Sequence, residues 1–164
     1  MQAAHLPEAN DGFAHVTRTL SSAGHPHAPI WLTDSARTSA EAAQALGVQV
    51  GQIAKSVIFR RVEDDRAVLV VASGDKRVDE KKVAALVGKI ARADAEFVKA
   101  KTGYSIGGVS PVGHATPPVV LVDRELERFD EIWAAAGHPR GVFKLSPQQL
   151  EALTGTSASD VAQA

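Results

Sequence analysis

The spacing of apolar residues predicts five helices along the chain, each beginning at a polar residue that can cap it. In the first, Phe13, Val16 and Leu20 recur at helical spacing before a glycine that ends the pattern. In the second, Thr38 and Glu41 have the spacing of a capping box. The predicted helices begin at Asn10 or Asp11, at Thr38, at Asp79, at Asp94 and at Ser146, and the first, second and last run to about Ala23, Gly47 and Leu153.

Short apolar runs between these helices predict strands. They cover residues 28–33, 53–61, 67–72, 90–93, 119–122 and 142–145. Asp64 and Asp65 mark a turn that would pair the second and third strands as a hairpin. The run 119–122 is apolar without interruption, as in a central strand buried on both faces. Residues 126–136 carry apolar positions that fit either a helix or a strand.

Helices and strands follow one another without an internal repeat or a linker, which indicates one domain of the mixed α/β class. We expect residues 1–9 to be a flexible leader and residues 10–155 to form the domain. The last segment, 156–164, is small and polar, and we expect it to be a flexible tail.

Composition and charge limit the classes of function. The chain has 164 residues, of which 45% are hydrophobic and 23% charged, as in a globular protein with one core. A net charge of −1 gives no overall positive field, and no motif that reads DNA sequence is present. Without a membrane-spanning run or a signal peptide, we expect no membrane partner and a cytoplasmic location. The absence of cysteine excludes disulfides, thiolate nucleophiles and zinc–cysteine sites.

Residues 102–114 combine four glycines with a proline, hydroxyl side chains and a histidine. Neither a helix nor a regular strand tolerates this mixture, so the segment predicts a loop. Such a loop can direct bare N–H groups at an anion or at a polarised carbonyl. A plain structural turn is the alternative interpretation.

Lys55 lies in the predicted strand 53–61, where period-two alternation puts it on the same face as Val57 and Phe59. A lysine that shares a face with buried residues has to end in a cleft, extend to the surface or bind an anion. The pattern leaves two alternatives, an anion-binding lysine and an edge lysine that extends into solvent.

The sequence gives little support for a metal site, a serine nucleophile or a phosphate-binding P-loop. His25 and His27 are separated by a proline that favours a turn, and no carboxylate completes a metal site, so we predict no metal. Ser110 does not lie in the Gly-x-Ser-x-Gly pattern of a nucleophile elbow. No lysine and hydroxyl follow the glycines as a phosphate-binding P-loop requires.

Basic residues are concentrated between positions 76 and 101. A solvated helix face and a local phosphate-contacting patch both explain such a concentration. The residues are Lys76, Arg77, Lys81, Lys82, Lys89, Arg92, Lys99 and Lys101.

Two segments together resemble the YbaK-type aminoacyl-tRNA editing domains, which are related to the editing insertion of bacterial prolyl-tRNA synthetases. They are Ile-Ala-Lys-Ser-Val-Ile-Phe at 53–59 and Gly-Tyr-Ser-Ile-Gly-Gly-Val-Ser-Pro-Val-Gly at 103–113. The capped helix before Lys55 and the Gly-His-Pro-Arg-Gly segment at 137–141 also follow the order of that family. The resemblance covers residues 28–155 and implies a mixed, strongly curved sheet surrounded by helices.

The resemblance implies hydrolysis of the ester between a wrong amino acid and the 3′ adenosine of a tRNA, mostly proline tRNA, by a free-standing protein. It assigns two residues to catalysis: Lys55 for the terminal phosphate or the oxyanion, and Gly108, with Gly107, for backbone N–H groups that hold the carbonyl. Water would attack, without a cofactor or metal. The residues assigned to substrate binding are Gly107, Val109, Ser110, Pro111, Gly113, His114 and Thr33.

The chain departs from some members of this family in two places. Residues 137–145 lack a serine and an acidic residue that some members carry, and Thr33 and Asp34 stand where an early-strand tyrosine occurs. These differences argue against a cysteine substrate and favour alanine, 2-aminobutyrate, serine or threonine. The choice among them stays open, because one methylene in a pocket changes binding by only about 1–3 kcal/mol.

The implied partners are the acceptor end of tRNA and, as a further candidate, an aminoacyl-tRNA synthetase. The alternative to an enzyme is a non-catalytic accessory module that binds tRNA or a synthetase through the same lysine and basic residues. A sensor of free amino acids or nucleotides is a third hypothesis.

Overall fold

Helices and strands occur close to where capping and periodicity predict them. A computed structural model describes residues 11–164, and the predicted leader at 1–9 lies outside the described residues. No helix within residues 11–164 has the length and apolar character needed to cross a bilayer. The helices are α1 (Asp11–Ser22), α2 (Ser39–Leu46), α3 (Glu80–Val87), α4 (Ala95–Thr102) and α5 (Pro147–Thr154). The strands are β1 (Ile30–Trp31), β2 (Ile53–Arg61), β3 (Ala67–Ser73), β4 (Ile90–Arg92), β5 (Val119–Asp123), β6 (Ile132–Ala135), β7 (Gly141–Leu145) and β8 (Ala158–Ser159).

The described strands form one mixed sheet in the order β1-β7-β6-β2-β3-β5-β8, and β4 pairs with β2 outside this path. β2 and β3 are an antiparallel hairpin whose register is continuous from Ala54 opposite Ser73 to Arg60 opposite Ala67. β2 pairs with β6, and β3 with β5, in the parallel sense. The predicted hairpin and the mixed α/β class are therefore confirmed.

β3 lies at the centre of the core, because its side chains are buried on both faces. Leu69 and Val71 pack in the larger apolar layer, which also contains buried side chains of α1 and α5. Val68 and Val70 pack in a second layer with Val83 of α3. Since successive side chains of a strand point to opposite faces, the two layers cover the two sides of the sheet.

The helix ends follow the predicted capping chemistry. Thr38 and Ser146 each form a complete capping box, at α2 and α5. The carboxylates of Asp79 and Asp94 accept hydrogen bonds from first-turn N–H groups of α3 and α4. Each such cap stabilises its helix by about 1 kcal/mol, which matters for helices of only two turns.

Three predicted elements differ in the structure. β1 is limited to two residues at the sheet edge, and one further backbone hydrogen bond, from the Leu32 N–H to the Arg140 carbonyl, follows in the same register. The ambiguous segment 126–136 contains the end of a 3-10 turn at Arg124–Arg128 and all of β6. α3, predicted from its cap at Asp79, is short and buries only Val83 fully, so that its Leu86 is 53% exposed.

The residues after Gly155 correct the prediction of a flexible tail. Ala158–Ser159 forms β8 along the edge of β5, and Ala162 bridges to Val78. The side chain of Val161 is fully buried in the layer that contains α3. A few apolar side chains are enough for packing here, because they cover a sheet edge and a helix that would otherwise be exposed to solvent.

We predict that Val161→Ala lowers the free energy of unfolding by about 2 kcal/mol, because it removes buried methyl groups and leaves a cavity. Urea unfolding monitored by tryptophan fluorescence would measure this change. The matched control is Val62→Ala, since Val62 is 40% exposed and its truncation should have little effect. Equal effects at the two positions would contradict the packed C-terminus.

Candidate functional site

The sheet is split beside β2, and a cavity lies in the split. One edge of β2 pairs with β6 at Ile53 and Ala54 and with β4 from Phe59 to Arg61. Between these two pairings, residues 55–58 have no strand partner on that edge within the described part of the chain. A cavity of about 710 Å³ opens there, lined by β2 residues 53–58 among others.

The walls of this cavity come from four parts of the chain. They are the start of α2, the glycine-rich loop, the turn between β6 and β7, and the junction of β4 and α4. The lining is mostly apolar, with few polar side chains, which is typical of a site for a small molecule or part of a larger ligand. The side chains outside β2 include Ala36, Arg37, Ala42, Ala93, Val98, Ile106, Val109, Trp133 and His138.

Lys55 lines the cavity, and its ammonium group is held by a backbone carbonyl. Its Nζ donates to the carbonyl oxygen of Lys76 at 3.2 Å, and the side chain is partly buried. A carbonyl carries no formal charge, so this contact orients the ammonium without neutralising it. The Lys55 side chain thus ends in the cavity and not in bulk solvent, and the binding of an anion there stays a prediction.

The turn 73–76, which supplies that carbonyl, is braced by an ion pair between Asp75 and Arg128. The guanidinium donates to both carboxylate oxygens, with Nη2–Oδ1 at 2.7 Å and Nη1–Oδ2 at 3.1 Å. This hydrogen bonding, with a further one from Ser73, holds the pKa of Asp75 below its usual range. Bidentate pairs fix geometry as well as charge, so the turn has a defined shape.

Ser73 joins the turn to the start of β2. Its hydroxyl donates to the carbonyl oxygen of Gly51 at 2.6 Å, and its N–H donates to the buried carboxylate of Asp123 at 3.0 Å. Gly51 lies just before β2, only four positions before Lys55 in the sequence. The chain segments on either side of the Lys55 ammonium are thus tied to each other.

The glycine-rich loop reaches the cavity with Gly107 and Val109. Gly107 has φ +99°, a backbone conformation that other residues rarely adopt. The N–H of Gly108, predicted to hold a substrate carbonyl, already donates to the Ser105 carbonyl at 3.1 Å. Within residues 11–164, the N–H groups of Gly107 and Val109 have no hydrogen-bond acceptor, and neither has that of Ile106, which also lines the cavity.

Gly108 makes a close contact with protein backbone. A Cβ at this position would lie 2.8 Å from the backbone N and Cα of His138. Glycine is therefore required here because the loop packs directly on the turn between β6 and β7. The sequence predicted a role for Gly108 in holding the substrate carbonyl, whereas the neighbour that requires a glycine here is another part of the chain.

The second half of the loop turns away from this cavity. Ser110 and Pro111 are buried, and Ser110 accepts a hydrogen bond from Nε2–H of His114 at 2.6 Å through its carbonyl. Burial lowers the pKa of His114. Gly113 and His114 instead border a separate cavity beside α1. The loop is thus divided between one half at the split and one half in the core.

Thr33, the remaining residue assigned to substrate binding, is exposed and does not line the cavity. Its carbonyl oxygen accepts a hydrogen bond from Nη2 of Arg140 at 2.5 Å. Of the residues assigned from the sequence, the structure therefore brings Lys55, Gly107 and Val109 together at the cavity, with Gly108 directly behind them.

Arg37 and His138 line the cavity but were not assigned from the sequence. The ring of His138 stacks on Trp31 with centroids 4.6 Å apart, and its Nδ1 accepts the N–H of Arg140 at 3.0 Å. Burial, with the positive charges of Arg140 and Arg37, lowers the pKa of His138, so the ring is mainly neutral at pH 7. In the sequence, the Gly-His-Pro-Arg-Gly turn was a signal that could have identified His138. For Arg37, the signal was its position just before a helix cap.

The basic residues between positions 76 and 101 do not form one continuous group of free cations. Lys82 contacts Asp160 at 3.0 Å, and Lys76 contacts Glu125 at 3.7 Å. The others are distributed over α3, β4, α4 and the segments that connect β3 to α3 and α3 to β4. Among the described residues no three potential metal ligands lie together.

Comparison with known proteins identifies relatives of the whole domain. A family model described as the aminoacyl-tRNA editing domain matches residues 33–153. The uncharacterized protein YwhH of Bacillus subtilis is 39% identical over 117 residues, which are 71% of this chain and 74% of that protein. A candidate Cys-tRNA(Pro)/Cys-tRNA(Cys) deacylase of Enterococcus faecalis, EbsC, is 28% identical over 73% of both chains.

Two further similarities concern prolyl-tRNA synthesis. The proline–tRNA ligase of Lactobacillus acidophilus is 30% identical over 114 residues, 68% of this chain but only 20% of the ligase. The crystal structure of a candidate trans-editing enzyme for prolyl tRNA synthetase superposes with a TM-score of 0.87 at 41% identity. That superposition covers 93% of this chain and 98% of the other.

We predict that Gly108→Ala lowers the free energy of unfolding by about 1–3 kcal/mol and moves the His138 turn, because the added methyl group meets backbone that cannot rotate away. Denaturant unfolding and the NMR resonances of the His138 ring would report the two effects. Ser105→Ala is the matched control in the same loop, since Ser105 is exposed. An unchanged His138 ring in Gly108→Ala would contradict the proposed contact.

We also predict that Asp75→Asn shifts the NMR resonance of the Lys55 Cε group, because the turn that holds its ammonium loses the charged brace. Asp64→Asn is the control. Asp64 forms a similar bidentate pair with Arg61 at the far end of β2, with contacts of 2.7 and 3.1 Å. Its loss should leave the Lys55 resonance unchanged. Equal shifts in both variants would show that the Asp75 pair has no special effect on Lys55.

Proposed function

Because the chain belongs to the aminoacyl-tRNA editing domain family, we propose that it hydrolyses the ester of mischarged aminoacyl-tRNA. The proposed substrate is proline tRNA that carries a small wrong amino acid: alanine, 2-aminobutyrate, serine or threonine. The proposed partner is the acceptor end of that tRNA, and the protein would act on it in trans. A synthetase that delivers the tRNA is a candidate second partner.

The observation that carries the proposal is the arrangement at the split in the sheet. A cation, Lys55, lies on one side of an apolar cavity, and two free N–H groups, of Gly107 and Val109, lie in the loop on another side. An aminoacyl ester offers matching groups: a phosphate on the adjoining nucleotide, a carbonyl oxygen and a small side chain. Arg37, at the cavity wall beside Gly107, adds a second cation for the RNA backbone.

The proposed hydrolysis requires few catalytic groups from the protein. An aminoacyl ester is already activated, so positioning and stabilisation of the oxyanion provide most of the required acceleration. In the proposed mechanism water attacks the ester carbonyl, and negative charge develops on its oxygen. The N–H groups of Gly107 and Val109, or the Lys55 ammonium, stabilise that charge. The ester bond to the ribose oxygen then breaks, and that oxygen takes up the proton that the attacking water loses, which leaves a ribose hydroxyl and the free amino acid.

The lining of the cavity favours a small aliphatic side chain. Ala93, Val98 and Val109 offer methyl groups and no hydrogen-bonding side chain. Such a wall separates alanine from 2-aminobutyrate by only about 1–3 kcal/mol, the value of one methylene. We therefore expect activity on more than one of the proposed amino acids.

A non-catalytic module that binds tRNA remains the second candidate. The described cavity lining includes no carboxylate, and its one potential general base is the neutral His138. This scarcity of catalytic bases favours the binding module. The same Lys55 and Arg37 would then bind phosphate without hydrolysis. Retention of tRNA binding with no loss of ester from any aminoacyl-tRNA would support this candidate.

We predict that the wild-type protein deacylates proline tRNA charged with one or two of the small amino acids and spares Pro-tRNA. Lys55→Ala should lower the rate roughly 100-fold, the typical cost of removing one group that stabilises an oxyanion. Single-turnover rates over a range of enzyme concentrations would show the role of the lysine. A fall in the maximal rate indicates oxyanion stabilisation, and a rise in the half-saturating concentration indicates phosphate binding.

Lys81→Ala is the control for this experiment, since Lys81 is exposed on α3 and does not line the cavity. Its rates should equal those of the wild type. Full activity of Lys55→Ala would remove Lys55 from the mechanism, and no activity of the wild type on any charged tRNA would leave the binding module as the function.

A further inference from the structure

The direction of the backbone groups along β2 can be read from two hydrogen bonds at its end. Val62 donates its N–H to the Lys89 carbonyl at 2.9 Å, on the side of β4. Arg61 donates its N–H to the Arg66 carbonyl at 2.8 Å, on the side of β3. Because the N–H and C=O of successive strand residues point to opposite edges, even-numbered residues of β2 face away from β3.

This alternation extends along the whole strand, since the register with β3 is continuous and contains no bulge. Ser56 therefore directs both its N–H and its C=O toward the edge that β6 and β4 share. β6 covers this edge only at Ile53 and Ala54, and β4 only from Phe59 onward. Within residues 11–164, the main chain of Ser56 has neither a strand partner nor a side-chain partner on that edge.

Ser56 is also unusual in its side chain. It lines the cavity, yet its Oγ is buried without a hydrogen-bond partner among the described residues. Half-buried backbone groups without a partner are uncommon in folded proteins, because each costs free energy until something pairs with it. In a cavity of this size, the missing partner can be a ligand.

We propose that the main chain of Ser56 binds the aminoacyl group as if that group were a residue of a neighbouring strand. The Ser56 carbonyl accepts a hydrogen bond from the substrate's α-ammonium, and the Ser56 N–H donates to the oxygen of the ester carbonyl. An aminoacyl group offers one donor and one acceptor, as a strand residue does in a two-bond antiparallel pair. This inference rests on the proposed function and adds the group that recognises the amino acid.

The arrangement separates recognition of the amino acid's backbone from recognition of its side chain. A paired strand residue points its side chain perpendicular to the sheet. The bound amino acid would thus direct its side chain toward one face of the sheet, where the cavity offers apolar groups such as Ile58 and Val98. The hydrogen bonds to Ser56 would be the same for every amino acid that fits.

The test removes the N–H of Ser56. The ester also weakens the preceding carbonyl, of Lys55, as an acceptor, and the control described below carries the same change at its own preceding residue. Ser56→Ala serves as the parent, because it lacks the hydroxyl but keeps the main chain. In the second protein, lactic acid replaces alanine at position 56, so that an ester oxygen stands in place of the N–H. We expect kcat/KM to fall roughly tenfold relative to the parent, and by the same factor for alanyl and 2-aminobutyryl tRNA. We expect the thermal midpoint to change little.

The matched control places α-hydroxyisovaleric acid at Val70, which is opposite Val57 in the β2–β3 ladder. The same alternation makes this a hydrogen-bonded pair, so the control should lower the thermal midpoint but keep kcat/KM at temperatures where it is folded. If the ester at position 56 destabilises the fold as the control does, its N–H is already paired and the inference is wrong.

The remaining outcomes separate the inference from the proposed function. An active parent whose kcat/KM is unaffected by the ester at position 56 would overturn the role of Ser56 and leave the deacylase intact. A fall that differs between the two amino acids would also overturn it, since backbone recognition cannot depend on the side chain. A wild type that deacylates nothing would remove the proposed function, and the inference with it.

Discussion

One edge of β2 is shared by two strands of opposite direction, and the candidate site depends on that arrangement. β6 runs parallel to β2 and turns away after Ala135 toward β7, whereas β4 runs antiparallel and continues into α4. Neither can extend along residues 55–58 without leaving its own connection. The sheet is therefore continuous on the side of β3 and open on the other side. A cavity in such a gap is bordered by main chain as well as by side chains.

The walls of the gap are held by contacts between backbone and backbone. Gly108 packs on His138, and Gly12 of α1 packs on Gly137 so closely that a methyl group on either glycine would meet the other's carbonyl oxygen. The glycine-rich loop, the β6–β7 turn and α1 thus form one stack. α1 lies outside the segment 33–153 that matches the family model, yet it supports the wall that carries His138. Removal of α1 would therefore affect the cavity even though α1 does not line it.

Local signals in the sequence were sufficient for most elements and for part of the site. The capping residues Thr38 and Ser146 and the hairpin of β2 and β3 depend on neighbours within a few positions, and they were predicted correctly. The ordered C-terminus was missed because β8 depends on β5, a strand far away in the chain. Lys55 and the glycine-rich loop could be selected as candidate site residues from their residue types alone. Arg37 and His138 lie in segments with a local signal, a helix cap and a turn, but that they line the cavity depends on tertiary contacts.

The electrostatics of the site depend on which group Asp75 contacts. Asp75 directly precedes Lys76, whose carbonyl holds the Lys55 ammonium, so its carboxylate could compete for the same cation. Instead the guanidinium of Arg128 donates to both carboxylate oxygens of Asp75. Lys55 keeps an uncharged acceptor, the carbonyl oxygen of Lys76. An ammonium paired with a carboxylate would have to lose that partner before it could bind a phosphate or an oxyanion, and the cost would reduce its affinity for either. Arg128 thereby keeps Lys55 available for an anionic ligand without touching the cavity itself.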